Sequence, residues 1–189
     1  MNKLCGIDEA GRGPLAGPLV VAGCIINKPI KGLNDSKVLS EKKRESLFDT
    51  IKENCTYHIV FTDAKTIDEK GLSACLKNSI KEIMQELKDS CEEFLMDGNT
   101  SFGIQTLQHK IKADATVKEV SAASILAKVS RDRYMKAIAP TYPKYNFEKH
   151  KGYGTKAHVQ SIKTHGRCEE HRQSFKLKAL DEVNQPSLF

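Results

Sequence analysis

Eight consecutive apolar or small residues, Leu19 to Ile26 (LVVAGCII), limit the architectures open to this chain. The run is far below the ~18 residues that a membrane span requires. It reads as a strand apolar enough to be buried on both faces. Such a strand needs cover on two sides, and the surrounding sequence supplies it. Lys3 to Asp8 is a short apolar strand running into a Gly-rich turn. Tyr57 to Thr62 is a third strand, Phe94 to Met96 a fourth, and Ile104 to Lys112 a fifth candidate. Between them, Ser40 caps a helix from Glu41 to about Glu53. Leu72, Cys75, Leu76, Ile80, Ile83, Met84 and Leu87 recur at helical spacing and predict a helix from about Ser73 to Lys88. Val117 to Ala139 is a long Ala/Ser-rich helix stopped by Pro140, and Thr155 caps a shorter one that Gly166 closes. The order predicts an α/β protein, a mixed sheet flanked by helices.

Its 189 residues fit one domain, expected over 1–183, with a polar tail at 184–189. Net charge is +6, but unevenly spread. Residues 1–100 carry 14 Lys and Arg against 16 Asp and Glu, and residues 101–189 carry 16 against 8. A basic half beside a near-neutral half suits a polyanion such as nucleic acid, although a lysine-rich surface needs no ligand. Aromatics are 6% of the chain and Trp is absent, which argues against an extended stacking platform for single strands. Six cysteines form no Cys-x-x-Cys pair and no zinc spacing. With no signal peptide in view, they are expected to be reduced core thiols of a cytoplasmic, monomeric protein.

Four carboxylates stand where apolar elements stop. Asp8 and Glu9 end the first strand, Asp97 ends the fourth, and Asp114 begins the long helix. One acidic residue in such a place is usually a turn or cap residue. Several converging at one end of a sheet would repel each other, and bound cations would relieve that repulsion. An all-oxygen ligand set favours Mg²⁺ or Mn²⁺ over Zn²⁺. Two such ions about 4 Å apart can activate water and steady the leaving oxygen of a phosphodiester. Spacing in the sequence does not by itself bring these residues together. Gly11-Arg12-Gly13-Pro14 follows the acidic pair directly. Its glycines let backbone amides approach a ligand, and Arg12 can contact phosphate, though the same residues would serve in a plain tight turn.

Gly6 to Pro14 (GIDEAGRGP) resembles the opening signature of the ribonuclease HII family. So, in the family's order, do Asp35-Ser-Lys37, Met96-Asp-Gly98, Lys112-Ala-Asp114, Ala122 to Arg133 and His150 to Thr155 (HKGYGT). The resemblance implies the ribonuclease H-like fold: five mixed strands, helices on both faces and a small helical C-terminal extension. It implies that Asp8, Glu9, Asp97 and Asp114 are catalytic and hold the metals. It further implies that Gly11, Arg12 and Gly13 read the ribose 2′-hydroxyl while Tyr153 packs on the next sugar. The implied activity is hydrolysis of RNA in RNA–DNA hybrids and 5′ to single ribonucleotides in duplex DNA. Lys37, Lys128 and Arg131 are candidate phosphate contacts. The six histidines are scattered and carry no expected role.

Gln185-Pro-Ser-Leu-Phe189 resembles the Gln-x-x-Leu-Phe peptides with which bacterial repair proteins grip the sliding clamp, Leu188 and Phe189 filling an apolar pocket beside Gln185. Two other readings compete with the ribonuclease: a Holliday-junction-resolvase-like nuclease of the same fold superclass, and a non-catalytic hybrid-binding module.

Overall fold

The apolar run Leu19–Ile26 is strand β2, next to the centre of a five-stranded sheet. It pairs antiparallel with β1 (Leu4–Ala10) on one side and with β3 (Cys55–Thr62) on the other. Beyond β1 the sheet changes sense: β4 (Glu93–Asp97) and β5 (Leu107–Lys110) run parallel to it, giving the order β3-β2-β1-β4-β5. The computed structural model describes residues 3–33 and 39–176.

Helix α1 (Glu41–Asn54) is capped by Ser40, whose hydroxyl accepts the Lys43 N–H at 3.3 Å. Helix α2 (Ala64–Lys70) was not expected from the sequence. Only Ala64 and Ile67 of its residues are buried, too few to mark a period, and Asp63 caps it instead. Helix α3 (Leu72–Leu87) covers one face of the sheet, packing Ile80, Ile83 and Leu87 against Cys5, Ile7, Val21 and Ile25. Helix α4 (Lys118–Ile138) and α1 cover the other, where Ala122, Ala123, Leu126 and Ile51 meet Val20, Ala22 and Cys24. A third cluster forms past the sheet, where α5 (Phe147–His150) and α6 (Lys156–His165) pack Phe147 and Ile162 on Ala16 and Met135. Thr155 and Gly166 bound α6 as expected.

Most boundaries shift by one or two residues, as β1 and β3 do, and two differences bear on the site. β5 is four residues long, because Ile104 is tied into a turn by its N–H to Ser101 and only Leu107 packs inward. Asp114 belongs to a 3₁₀ turn, Ala113–Ala115, and α4 starts at Lys118. No described helix is long and apolar enough to cross a membrane.

One contact sets the position of α4. A Cβ on Gly6 of β1 would lie 2.2 Å from the Glu119 carbonyl carbon and the Val120 nitrogen. The helix backbone thus rests directly on the strand backbone, as only glycine permits. Two residues along β1 is Asp8, and one turn along α4 is Ser124, so the contact brings those two side chains level. Gly6→Ala should cost about 3 kcal/mol of unfolding free energy, because backbone cannot yield as a side chain can. Urea denaturation measures this. An unchanged midpoint would mean that α4 is not seated on β1 in this way.

Candidate active site

β1 and β4 run parallel with Ile7 opposite Met96. One residue further along each strand stand Asp8 and Asp97, on the same face because strand side chains alternate. Asp114 arrives from elsewhere. After β5, Lys112 takes a left-handed conformation (φ 59°) and turns the chain into the 3₁₀ turn that carries it. The Ala113 N–H donates to Asp97 Oδ1 at 2.7 Å, so Asp97 both ends its strand and fixes that turn. One carboxylate oxygen from each of Asp8, Asp97 and Asp114 lies within 4.8 Å of the other two. Asp8 and Asp114 are buried and Asp97 half-buried.

Such a group is costly when bare. Burial, then the adjacent Glu9 charge and more weakly that of Asp97, push the Asp8 carboxyl well above the usual carboxylate range, while a hydrogen bond with Ser124 opposes the rise. A divalent cation suits the donors: the group is all carboxylate oxygen, with no thiol or imidazole in it. Glu9 is not one of the three gathered residues. It leaves β1 on the opposite side from Asp8, and its Oε1 accepts from Arg12 Nη1 at 3.2 Å. It nevertheless borders the same cleft, of about 520 Å³, together with Asp8, Asp97, Gly11, Gly13 and Tyr153.

The loop after β1 depends on positive φ at Gly11 (94°), where a Cβ would strike the Pro18 carbonyl and the Arg131 side chain. Gly13 is different: no atom lies within 4 Å of the position its Cβ would take. Across the cleft, Tyr153 is 40% exposed, with Lys128 Nζ 5.6 Å and Arg131 Cζ 5.5 Å from its ring centroid.

The basic candidates divide. Lys128 borders the cleft and is paired with Asp132 at 2.7 Å. Arg131 corrects the sequence reading. It is wholly buried, and its Nε, Nη1 and Nη2 donate to the carbonyls of Pro18, Lys151 and Ala16, each at 2.9 Å. A guanidinium so enclosed does not reach a phosphate; it braces the loop from behind. Lys37 and the tail residues Gln185, Leu188 and Phe189 lie outside the described residues. Sequence reasoning missed Ser124, Arg172 and the meeting of His150, His158 and His171. Ser124 and His150 lie inside stretches that carry the resemblance, but the contacts of all of them depend on long-range folding, and no local pattern assigns them a role.

The family model described as Ribonuclease HII matches residues 5–178. A curated relative, the Ribonuclease HII of Aliarcobacter butzleri (strain RM4018), is 69% identical over the whole of both chains. Among solved structures, the chain is similar to the one described as the PCNA:RNase HII complex from Archaeoglobus fulgidus, with TM-score 0.79 and 28% identity, covering 95% of this chain and 99% of that one. It is also similar to the ribonuclease H2 from Pyrococcus horikoshii OT3, with TM-score 0.75 and 28% identity over 92% of this chain and 94% of that one.

Crowding of the aspartates makes a prediction about stability. Asp97→Asn keeps the oxygen that accepts the Ala113 N–H and removes one charge. Without divalent cations the variant should melt about 2–4 °C higher than the native chain. In millimolar Mg²⁺ or Mn²⁺ the native chain should gain more than the variant. Equal metal-induced shifts in differential scanning calorimetry would mean that these carboxylates do not bind a cation together.

Proposed function

The chain belongs to the ribonuclease HII family, and on that premise we propose how its residues divide the work of a ribonuclease H. The activity is that of a hydrolytic nuclease of this type. Its substrates in this reading are the RNA strand of RNA–DNA hybrids and single ribonucleotides embedded in duplex DNA. The cut falls on the 5′ side of the ribonucleotide and leaves a 3′-hydroxyl and a 5′-phosphate.

The observation that carries the reading is the meeting of Asp8, Asp97 and Asp114 within 4.8 Å beside a glycine loop and an exposed tyrosine. These aspartates, with Glu9 next to them, would hold Mg²⁺ or Mn²⁺, a pair of which supplies water activation and charge neutralisation at the leaving oxygen. The backbone amides of Gly11-Arg12-Gly13 bond the 2′-hydroxyl, the one group that separates RNA from DNA. Open space at Gly13 supports this, since a side chain there would occupy the ligand's place. Tyr153 packs against the sugar that follows, where a second 2′-hydroxyl would crowd the ring. Arg12, held by Glu9 at 3.2 Å and half exposed, can release to a phosphate oxygen, and Lys128 lies near enough to share that charge.

The proposed partner beyond nucleic acid is a sliding clamp, gripped through Gln185, Leu188 and Phe189. A structural relative described as a complex with PCNA supports that reading, as does the apolar end of a polar tail.

A DNA duplex with one ribonucleotide tests the main claim. In Mg²⁺ or Mn²⁺ the native chain should cut 5′ of the ribose, and Asp97→Asn should lose about 10³-fold or more in kcat while still binding the duplex. Equal turnover by the variant would remove the metal mechanism. Cutting at a four-way junction with none at the ribose would favour a resolvase instead. For the tail, deletion of residues 185–189 should abolish capture by immobilised clamp and leave cleavage of a short oligonucleotide unchanged. Capture that survives the deletion would end the clamp proposal.

A further inference from the structure

Arg172 is fully buried and, among the described residues, makes no ion pair. Its guanidinium is instead spent on backbone carbonyls of the loop after β1. Nη2 donates to Gly11 at 2.6 Å and to Gly17 at 2.9 Å, Nη1 to Arg12 at 3.1 Å, and Nε to Gly17 at 3.1 Å. Burial, and then the neighbouring Arg131 charge, bring its pKa down to about 10. A cation kept in the interior without a carboxylate is expensive, so the bonds it makes must matter to the fold or to the site. Their geometry favours the site. In a trans peptide the N–H points opposite to the C=O. With the Gly11 and Arg12 carbonyls turned in to Arg172, the N–H groups of Arg12 and Gly13 are turned away from it. Neither N–H has a hydrogen-bond partner among the described residues. Two successive outward amides make a seat for an oxygen ligand.

The preceding residue, His171, serves the opposite side of the cleft. Its Nδ1 accepts the Cys168 N–H at 3.0 Å, so its proton sits on Nε2 and is donated to His158 Nε2 at 3.1 Å. His158 must then carry its own proton on Nδ1, which donates to the Tyr153 carbonyl at 2.9 Å. His150 stacks on His158 with ring centroids 4.3 Å apart, and its Nδ1 accepts the Gly152 N–H at 3.2 Å. Both rings thus hold the backbone of the Gly-Tyr-Gly loop. Residues 170–172 also add a short strand to the loop after β1. The Gly17 N–H donates to Glu170 at 2.8 Å, the Arg172 N–H donates to Leu15 at 2.9 Å, and Ala16 pairs with His171. Consecutive residues of an extended segment face opposite ways, so one dipeptide reaches both halves.

We propose that His171 and Arg172 are positioning residues that fix the Gly11–Gly13 amides and Tyr153 at the spacing needed to read two successive sugars. The proposal rests on the reading of those two elements given under Proposed function. It assigns the dipeptide to substrate discrimination and leaves the metals to the aspartates.

The test compares Arg172→Lys, His171→Phe and His171→Gln with Tyr153→Ala, using kcat/KM on a DNA duplex with one ribonucleotide and on an all-RNA strand paired with DNA. The Mn²⁺-induced melting shift of each protein reports whether the aspartates still bind metal. Lysine keeps the charge of Arg172 but cannot fork to three carbonyls. Phenylalanine keeps the bulk of His171 and ends the relay, whereas glutamine retains a donor. Arg172→Lys and His171→Phe should each move the ratio of the two kcat/KM values by about tenfold or more with a native Mn²⁺ shift, and His171→Gln should recover much of it. If Tyr153→Ala leaves the ratio untouched, the sugar-reading role of Tyr153 fails, whatever the other variants do. If Tyr153→Ala moves the ratio while Arg172→Lys and His171→Phe slow both substrates equally, the dipeptide is merely structural and the proposal is overturned. Should Arg172→Lys not fold, the His171 pair decides by the same criterion.

Discussion

Backbone resting on backbone at Gly6 governs where the chemistry sits, because β1 and α4 can approach no closer and no side chain separates them. From that contact, Asp8 and Ser124 come level, and the parallel register of β1 with β4 adds Asp97 on the same face. Asp97 in turn holds the turn bearing Asp114 through the Ala113 N–H. The three carboxylates are therefore spaced by rigid elements, two strands and a pinned turn. Rigid spacing is what lets like charges stay together against their repulsion, and it makes them receptive to cations.

Charge is arranged around this centre in layers. Carboxylates face the cleft, while two arginines without carboxylate partners among the described residues, Arg131 and Arg172, lie behind the adjoining loop. Their task is geometric, since both guanidiniums are taken up by backbone carbonyls. Further out, the exposed lysines 110 and 112 border the Asp97–Asp114 turn, and the exposed lysines 144, 149 and 156 belong to the C-terminal extension. The basic half of the chain thus contributes exposed lysines beyond the cleft, which suit a polyanion, and the near-neutral half contributes the first acidic residues.

What could be read from the sequence was local. β2 showed itself as an unbroken apolar run, α3 as a period, α1 and α6 through their caps, and Asp8 and Asp97 by standing at or near strand ends. The sheet order and the approach of α4 were not local, and with them went the meaning of several residues. Arg131 sits in a helix beside the half-buried Lys128 and the exposed Arg133 and looked like them; only the packing of the loop over it makes it interior. His150, His158 and His171 are spread over 22 positions, and nothing in their spacing predicts that the rings meet. Helix α2 escaped notice because two buried residues make no period, and β5 was read too long because Ile104 is apolar for a turn, not for a strand.

Most of the residues that sequence reasoning passed over are polar groups drawn out of water and bonded to backbone: Arg172 to the loop after β1, His158 to the Tyr153 carbonyl and His150 to the Gly152 N–H. That pattern separates two demands on a selective nuclease. Groups proposed to meet the ligand must be left unsatisfied until it arrives, like the Arg12 and Gly13 amides, or mutually repelling, like the aspartates. Groups that hold them must be fully bonded and still, since a loop free to turn its carbonyls outward would satisfy its own amides and lose the seat for an oxygen. Arg172 and Arg131 take up the carbonyls of residues 11, 12, 16, 17 and 18, which removes that alternative. On the proposed reading, the cost of burying cations is tied to discrimination between sugars, and a substitution that relieved it would stabilise the chain while dulling its choice of substrate.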